Sequence, residues 1–141
     1  MDHSILVVDD DQSILELFRW VLEDEGYSVE TASKGRLAIE KARESRFNLA
    51  LLDMFLPDVR GDQVAVRLRE LDESIGLIFV TGYDESIEIV KSLGFKDFLL
   101  FKKPVSLEEL LGAVNDVLTI PVEHDQVVVD VPSHVNLVEG T

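Results

Sequence analysis

Carboxylates stand at the ends of two apolar runs in this chain. Residues 5–8, ILVV, lead into Asp9, Asp10 and Asp11, and residues 49–52, LALL, lead into Asp53. A hydroxyl, Thr81, closes a third run at 77–80, and Lys103 follows a fourth at 98–101 by way of Lys102. Brought into one pocket, Asp9, Asp10 and Asp53 would repel one another and need neutralising. A hard divalent cation such as Mg²⁺, which prefers oxygen ligands, does that. A lysine and a hydroxyl beside it suit the oxygens of a phosphoryl group, and one carboxylate is then free to act as nucleophile. Singly, each residue has a plainer use. Asp53 can cap a loop and Asp11 a helix, Thr81 can bond backbone at a strand end, and Lys103 can sit in water. The chemistry requires a fold that gathers them.

Short apolar runs of this kind read as strands buried on both faces, as in a parallel sheet. Between them the spacing turns helical. Ile14, Phe18, Val21 and Leu22 share a face, with Asp11 or Ser13 to cap the helix and Gly26 to end it as a C′ residue. Residues 28–32 form a weaker strand, and 35–45 a helix carrying Leu37, Ala38, Ile39 and Ala42. After Asp53, the residues Pro57, Asp58 and Gly61 break regular structure. A helix at 62–71, a strand at 77–80, a short helix at 84–93 stopped by Gly94 and a strand at 98–101 follow. The last helix runs to 118, with Ser106 as its cap and Glu109 at the capping-box position. Strand then helix, five times over, predicts an α/β fold. At this length it predicts a five-stranded parallel sheet of flavodoxin-like (βα)5 order 2-1-3-4-5, with helices on both faces. In that order the carboxyl ends of the strands meet at one edge, where open sheets place their ligands.

The 141 residues suit one domain, read as 1–118, with a little to spare, and a hydrophobic content of 46% is enough to build its core. Residues 119–141 differ. They hold no Lys or Arg, carry Pro121 and Pro132, and contain the Val-rich stretch QVVVDV at 126–131. Such a tail is either mobile or adds a strand to a sheet edge. The 28 acidic against 13 basic residues, a formal charge of −15, argue against nucleic acid and against an anionic membrane surface as partner. No cysteine is present, which excludes disulfides, thiolate chemistry and cysteine zinc sites. No transmembrane run or secretory signal is visible, so a cytoplasmic protein is the default expectation. His3, His124 and His134 form no ligand spacing and read as solvated.

The motifs VVDDD at 7–11, LLDMFLPDVRG at 51–61, VTG at 80–82 and KKP at 102–104 occur in order at the expected element ends. In these the chain resembles the receiver domain of bacterial two-component response regulators, over about residues 4–118. The resemblance implies Asp53 as phosphoacceptor. It implies Mg²⁺ held by Asp10, Asp53 and the backbone carbonyl of Phe55, with Asp9 reaching the metal directly or through water. Thr81 would bond the phosphoryl group and Lys103 would pair with it, ahead of a Lys103–Pro104 bond that is often cis in relatives. The donor would be a histidine kinase or a histidine phosphotransfer protein, and the output a downstream protein target. The chain would catalyse only its own phosphorylation and dephosphorylation. A homodimer is compatible with this reading.

Three departures from the receiver pattern stand out. Leu100 occupies the usual place of an aromatic switch residue, which leaves Phe98 for that role or an ordinary core strand. Phe55 and Tyr83 sit two positions past Asp53 and Thr81, where relatives tune attack of water on the acyl phosphate, and predict slow self-dephosphorylation. No basic helix-turn-helix or second enzymatic motif is visible, which reads as a stand-alone receiver or the receiver piece of a longer chain. A stand-alone receiver would signal through docking, with Trp20, opposite the apolar stripe of its helix, as a contact anchor. The alternative is a receiver-like interaction module that is not phosphorylated. A metal-dependent phosphatase with an Asp nucleophile would need an acid at position 55, and a nucleotide-binding sheet would need a Gly-rich loop after the first strand. Neither is present.

Overall fold

The computed structural model describes residues 3–82, 86–92, 94, 98–119, 126–130 and 136–140. Strands and helices alternate: β1 (Ser4–Val8), α1 (Gln12–Asp24), β2 (Ser28–Ala32), α2 (Gly35–Glu44), β3 (Leu49–Leu52) and α3 (Gly61–Leu71). There follow β4 (Gly76–Thr81), α4 (Ser86–Lys91), β5 (Phe98–Lys102) and α5 (Leu107–Thr119). Two further strands, β6 (Gln126–Asp130) and β7 (Asn136–Gly140), come after. The sheet order is β2-β1-β3-β4-β5-β6-β7. Its first five positions are the expected 2-1-3-4-5 arrangement, and every pair within them is parallel. Beyond them β6 runs parallel to β5, from Phe98↔Val127 to Phe101↔Asp130, and β7 returns antiparallel. Helix α5 therefore serves as a crossover between two parallel strands.

Strands β1, β3, β4 and β5 alternate their side chains between two apolar layers, as a period of two requires. Leu6, Val8, Ala50, Leu52, Leu77, Phe79, Phe98 and Leu100 join one cluster with Val64 and Leu68 of α3. Ile5, Val7, Leu49, Leu51, Ile78, Val80 and Phe101 join the other with Phe18 and Leu22 of α1 and Leu110 and Val114 of α5. Burying one such side chain stabilises the fold by about 1.5–3 kcal/mol. Both faces of β3 are covered, which is why its sequence shows no polar alternation.

The ends of the elements follow local rules. Asp11 Oδ1 accepts from Ser13 N at 2.9 Å and caps α1, the plainer role foreseen for it. Gly26, at φ +99°, closes α1 where a side chain would be strained. Ser106 Oγ accepts from Glu109 N at 3.3 Å at the start of α5. Helix α3 begins at Gly61, one residue before the expected start.

Candidate functional site

The parallel order carries the ends of β1, β3, β4 and β5 to one rim. Asp9 leaves β1 with its amide bonded to Ala32 O at 3.1 Å, and Asp53 leaves β3 with its amide bonded to Val8 O at 2.9 Å. These bonds extend the ladder by one residue on each side and fix where the two carboxylates start. Lys103 N donates to Thr81 O at 2.8 Å, so β4 and β5 place the hydroxyl residue and the lysine by the same device. The Lys103–Pro104 peptide is cis, the form expected from the resemblance.

The side chains converge. Carboxylate oxygens of Asp9, Asp10 and Asp53 lie within 4.8 Å of one another. Lys103 Nζ donates to Asp9 Oδ2 at 2.9 Å and stands 3.6 Å from Asp53 Oδ2. Asp9 Oδ1 also accepts from the backbone of Asp11 at 2.9 Å, which fixes the orientation of its carboxylate. Asp9 is 3% and Asp53 7% exposed, Thr81 is fully buried, and Asp10 faces solvent. Lys102 pairs with Thr81 in the strand register and stays half-buried, one residue away from the lysine that reaches the acids.

This crowding sets the protonation chemistry. Burial pushes the Asp53 carboxyl up from 3.8 to about 6. Lys103 pulls it back down, while Asp9 and Asp10 add to the rise and the Phe55 amide again opposes it. For Lys103, burial alone would lower the ammonium, but its bond to Asp9 and the charges of Asp53 and Asp9 outweigh that and raise it. One ammonium thus serves a cluster of three carboxylates, and Asp53 ionises less readily than an ordinary aspartate. Oxygen donors at this spacing, with one of them open to water, fit a hard divalent cation.

The loop after Asp53 is held from two sides. Phe55 forms a β-bridge with Arg60, and Gly61 N donates to Met54 O at 2.6 Å. A methyl group at Gly61 would overlap the Asp53 carbonyl oxygen, so the close approach requires glycine. Asp58 reaches across to α2, whose own first residues have no side-chain cap. Its Oδ1 accepts from Gly35 N at 2.8 Å and its Oδ2 from Arg36 N at 3.0 Å. The sequence reading missed this contact and gave Asp58 only a loop-breaking part. An acid placed directly after Pro57 was the available signal. Asp62, buried in the first turn of α3 and paired with Arg60 at 3.0 Å, was missed as well.

Other expectations divide. Trp20 is 69% exposed, as its place on α1 implied. Phe98 lies in the core, packed edge-on against Phe79 at 5.8 Å, and Leu100 is buried on the same face. Here the ordinary core-strand reading describes both residues. Phe55 is half-buried, while Tyr83 lies outside the described residues, as do His124 and His134.

A doubly wound sheet with three acids, a lysine and a hydroxyl residue at its carboxyl rim defines a phosphoryl-handling signalling module of the receiver type. The response regulator receiver domain model matches residues 5–115, and the chain belongs to that family. Phosphorylation-dependent switching is the general function of the family. Among curated relatives, the chain is 33% identical over 120 residues to sporulation initiation phosphotransferase F of Bacillus subtilis, covering 85% of this chain and 97% of that protein. It is 37% identical to the alkaline phosphatase synthesis transcriptional regulatory protein PhoP of the same organism, over 84% of this chain and 49% of PhoP. The chain thus spans about half the length of that relative. Among solved structures, it resembles the response regulator TrrA of Thermotoga maritima in complex with Mg²⁺ and BeF, with a TM-score of 0.74 and 31% identity. That likeness covers 82% of this chain and 99% of TrrA. No helix among the described residues is long and apolar enough to cross a membrane.

Proposed function

We propose that Asp53 is the phosphoacceptor and takes its phosphoryl group from a phosphohistidine of a sensor histidine kinase or a histidine phosphotransfer protein. An Asp53 carboxylate oxygen forms a bond to phosphorus as the bond from phosphorus to the donor imidazole breaks. Lys103, already 3.6 Å from Asp53, balances charge on the transferring oxygens, and Thr81 bonds to them once they arrive. Asp9, Asp10, Asp53 and the Phe55 carbonyl would hold Mg²⁺, whose part is to neutralise the acids and the phosphoryl oxygens. The observation that carries this reading is the joint approach of the three carboxylates and Lys103. In an unphosphorylated interaction module the same ammonium would serve only to neutralise two buried acids.

On this reading the chain catalyses only its own phosphorylation and dephosphorylation, works in the cytoplasm, and signals by changing its affinity for a downstream protein. Its charge of −15 disfavours nucleic acid as the partner of these residues. Phe55, half-buried beside the acceptor, shields the acyl phosphate from water. Replacing it with Asn is expected to shorten the lifetime of the phosphorylated form, followed by mass spectrometry after the donor is removed. An unchanged lifetime would remove the shielding role. Phosphotransfer from a panel of histidine kinases, with wild type beside Asp53→Asn, tests the whole reading. Transfer to wild type and none to the variant is expected. Equal labelling of both would defeat it.

A further inference from the structure

The chain's cations are unevenly placed. Every arginine except Arg19 lies between positions 36 and 69, where basic residues outnumber acidic ones although the whole chain carries −15. They gather around an open groove of about 640 Å³ between α2 and α3. Ile39, Val59 and Val66 form an apolar floor, and Arg36, Arg43 and Arg67 stand around it. All three arginines are exposed, and among the described residues Arg36 and Arg43 have no ion pair. Among the described residues Arg67 has only Glu70, at 3.9 Å. Among the described residues the single acid lining the groove is Glu40. In a chain with 28 acidic residues, unpaired arginines around an apolar floor are arranged for charge from outside.

The spacing narrows what that charge belongs to. Arg36 and Arg43 are seven residues apart, two turns of α2, or about 10 Å along its axis. A helix laid along the groove would meet them with carboxylates seven positions apart and would place the apolar residues between those acids over Ile39. We infer that the α2–α3 groove docks an acidic amphipathic helix of a partner protein. Val59 places one wall of the groove on the loop that leaves Asp53, but the docking itself does not depend on how Asp53 is used. It is therefore tested on the unphosphorylated chain.

The probe is a fluorescein-labelled helical peptide with glutamates seven positions apart around leucines, titrated into the full chain by fluorescence anisotropy and mapped by amide chemical shifts. Saturable binding is expected, with shifts confined to α2, α3 and residues 58–60. Arg36→Glu with Arg43→Glu should weaken it about tenfold or more. Arg36→Gln with Arg43→Gln gives a milder form of the same loss if charge reversal disturbs the fold. A peptide with lysine in place of glutamate should not bind. The inference is overturned if wild type ignores the peptide, or if the shifts map elsewhere. It is equally overturned if polyglutamate, single-stranded DNA or anionic vesicles bind as well as the peptide, or if the groove is closed by self-association.

Discussion

At the residue scale, Asp53 carries a cost that depends on pH. Its carboxyl is raised from 3.8 to about 6, first by burial and then by Asp9 and Asp10. Between those values the folded protein holds a proton that the unfolded chain releases. The contribution of Asp53 to stability is therefore full below the ordinary aspartate range and is lost as pH rises through about 6. Asp53→Asn removes this dependence. In EDTA it should be more stable than wild type by about 1–3 kcal/mol at about pH 7 and no different at about pH 3. Denaturant midpoints at the two pH values would check this, and a gain of equal size at both would contradict it. The approach of Lys103 to Asp9 and Asp53 was legible as a residue set at strand ends. The hydrogen bond from Lys103 to Asp9 was not, because spacing along a chain does not say which of two acids an ammonium chooses.

At the element scale, β1, β3, β4 and β5 were legible because they are buried on both faces and so read as unbroken apolar runs, whereas β2, exposed at Ser28 and Glu30, read as weaker. The helices were legible from their apolar stripes. What escaped was contact between elements distant in sequence. Asp58 bonds to Gly35 across 23 residues and supplies the cap that α2 lacks, and nothing in either segment alone names the other. Asp58→Ala should destabilise the fold by about 1 kcal/mol, the ordinary worth of a cap. Gly61→Ala should cost more than about 2 kcal/mol, since the added methyl meets the Asp53 carbonyl rather than a side chain that can move. Urea denaturation of the two variants separates the effects, and a Gly61→Ala protein as stable as wild type would deny the close approach. The fifth strand was read incompletely. Its aromatic residues suggested a switch, but alternation places Phe98 and Leu100 on one buried face and Phe101 on the other.

At the scale of the whole molecule, the fold brings together acids from β1 and β3, a hydroxyl residue from β4 and a lysine after β5. Folding such a rim leaves repulsion that one lysine does not cancel. If the rim holds Mg²⁺ as proposed, the ion binds only the folded arrangement and should raise the melting temperature, by the equivalent of about 2.7 kcal/mol at a hundredfold excess over its dissociation constant. EDTA should reverse the rise, and Asp10→Asn should reduce it. A shift of the same size in that variant, or in wild type with NaCl of matched ionic strength, would argue against a specific site. The order of the first five strands was legible from alternation and length. The fate of residues 119–141 was not, because a Val-rich segment states a preference for pairing without naming its partner strand. In the structure the β5 edge is that partner.

The central claim is that the rim makes Asp53 a nucleophile toward phosphorus. Incubation with acetyl phosphate and Mg²⁺, read by intact mass and then by peptide mapping after borohydride reduction, tests it most directly. A gain of one phosphoryl group, mapped to Asp53, dependent on Mg²⁺ and absent in Asp53→Asn, is the expected result. No gain in wild type, or a gain that persists in Asp53→Asn, would contradict the account.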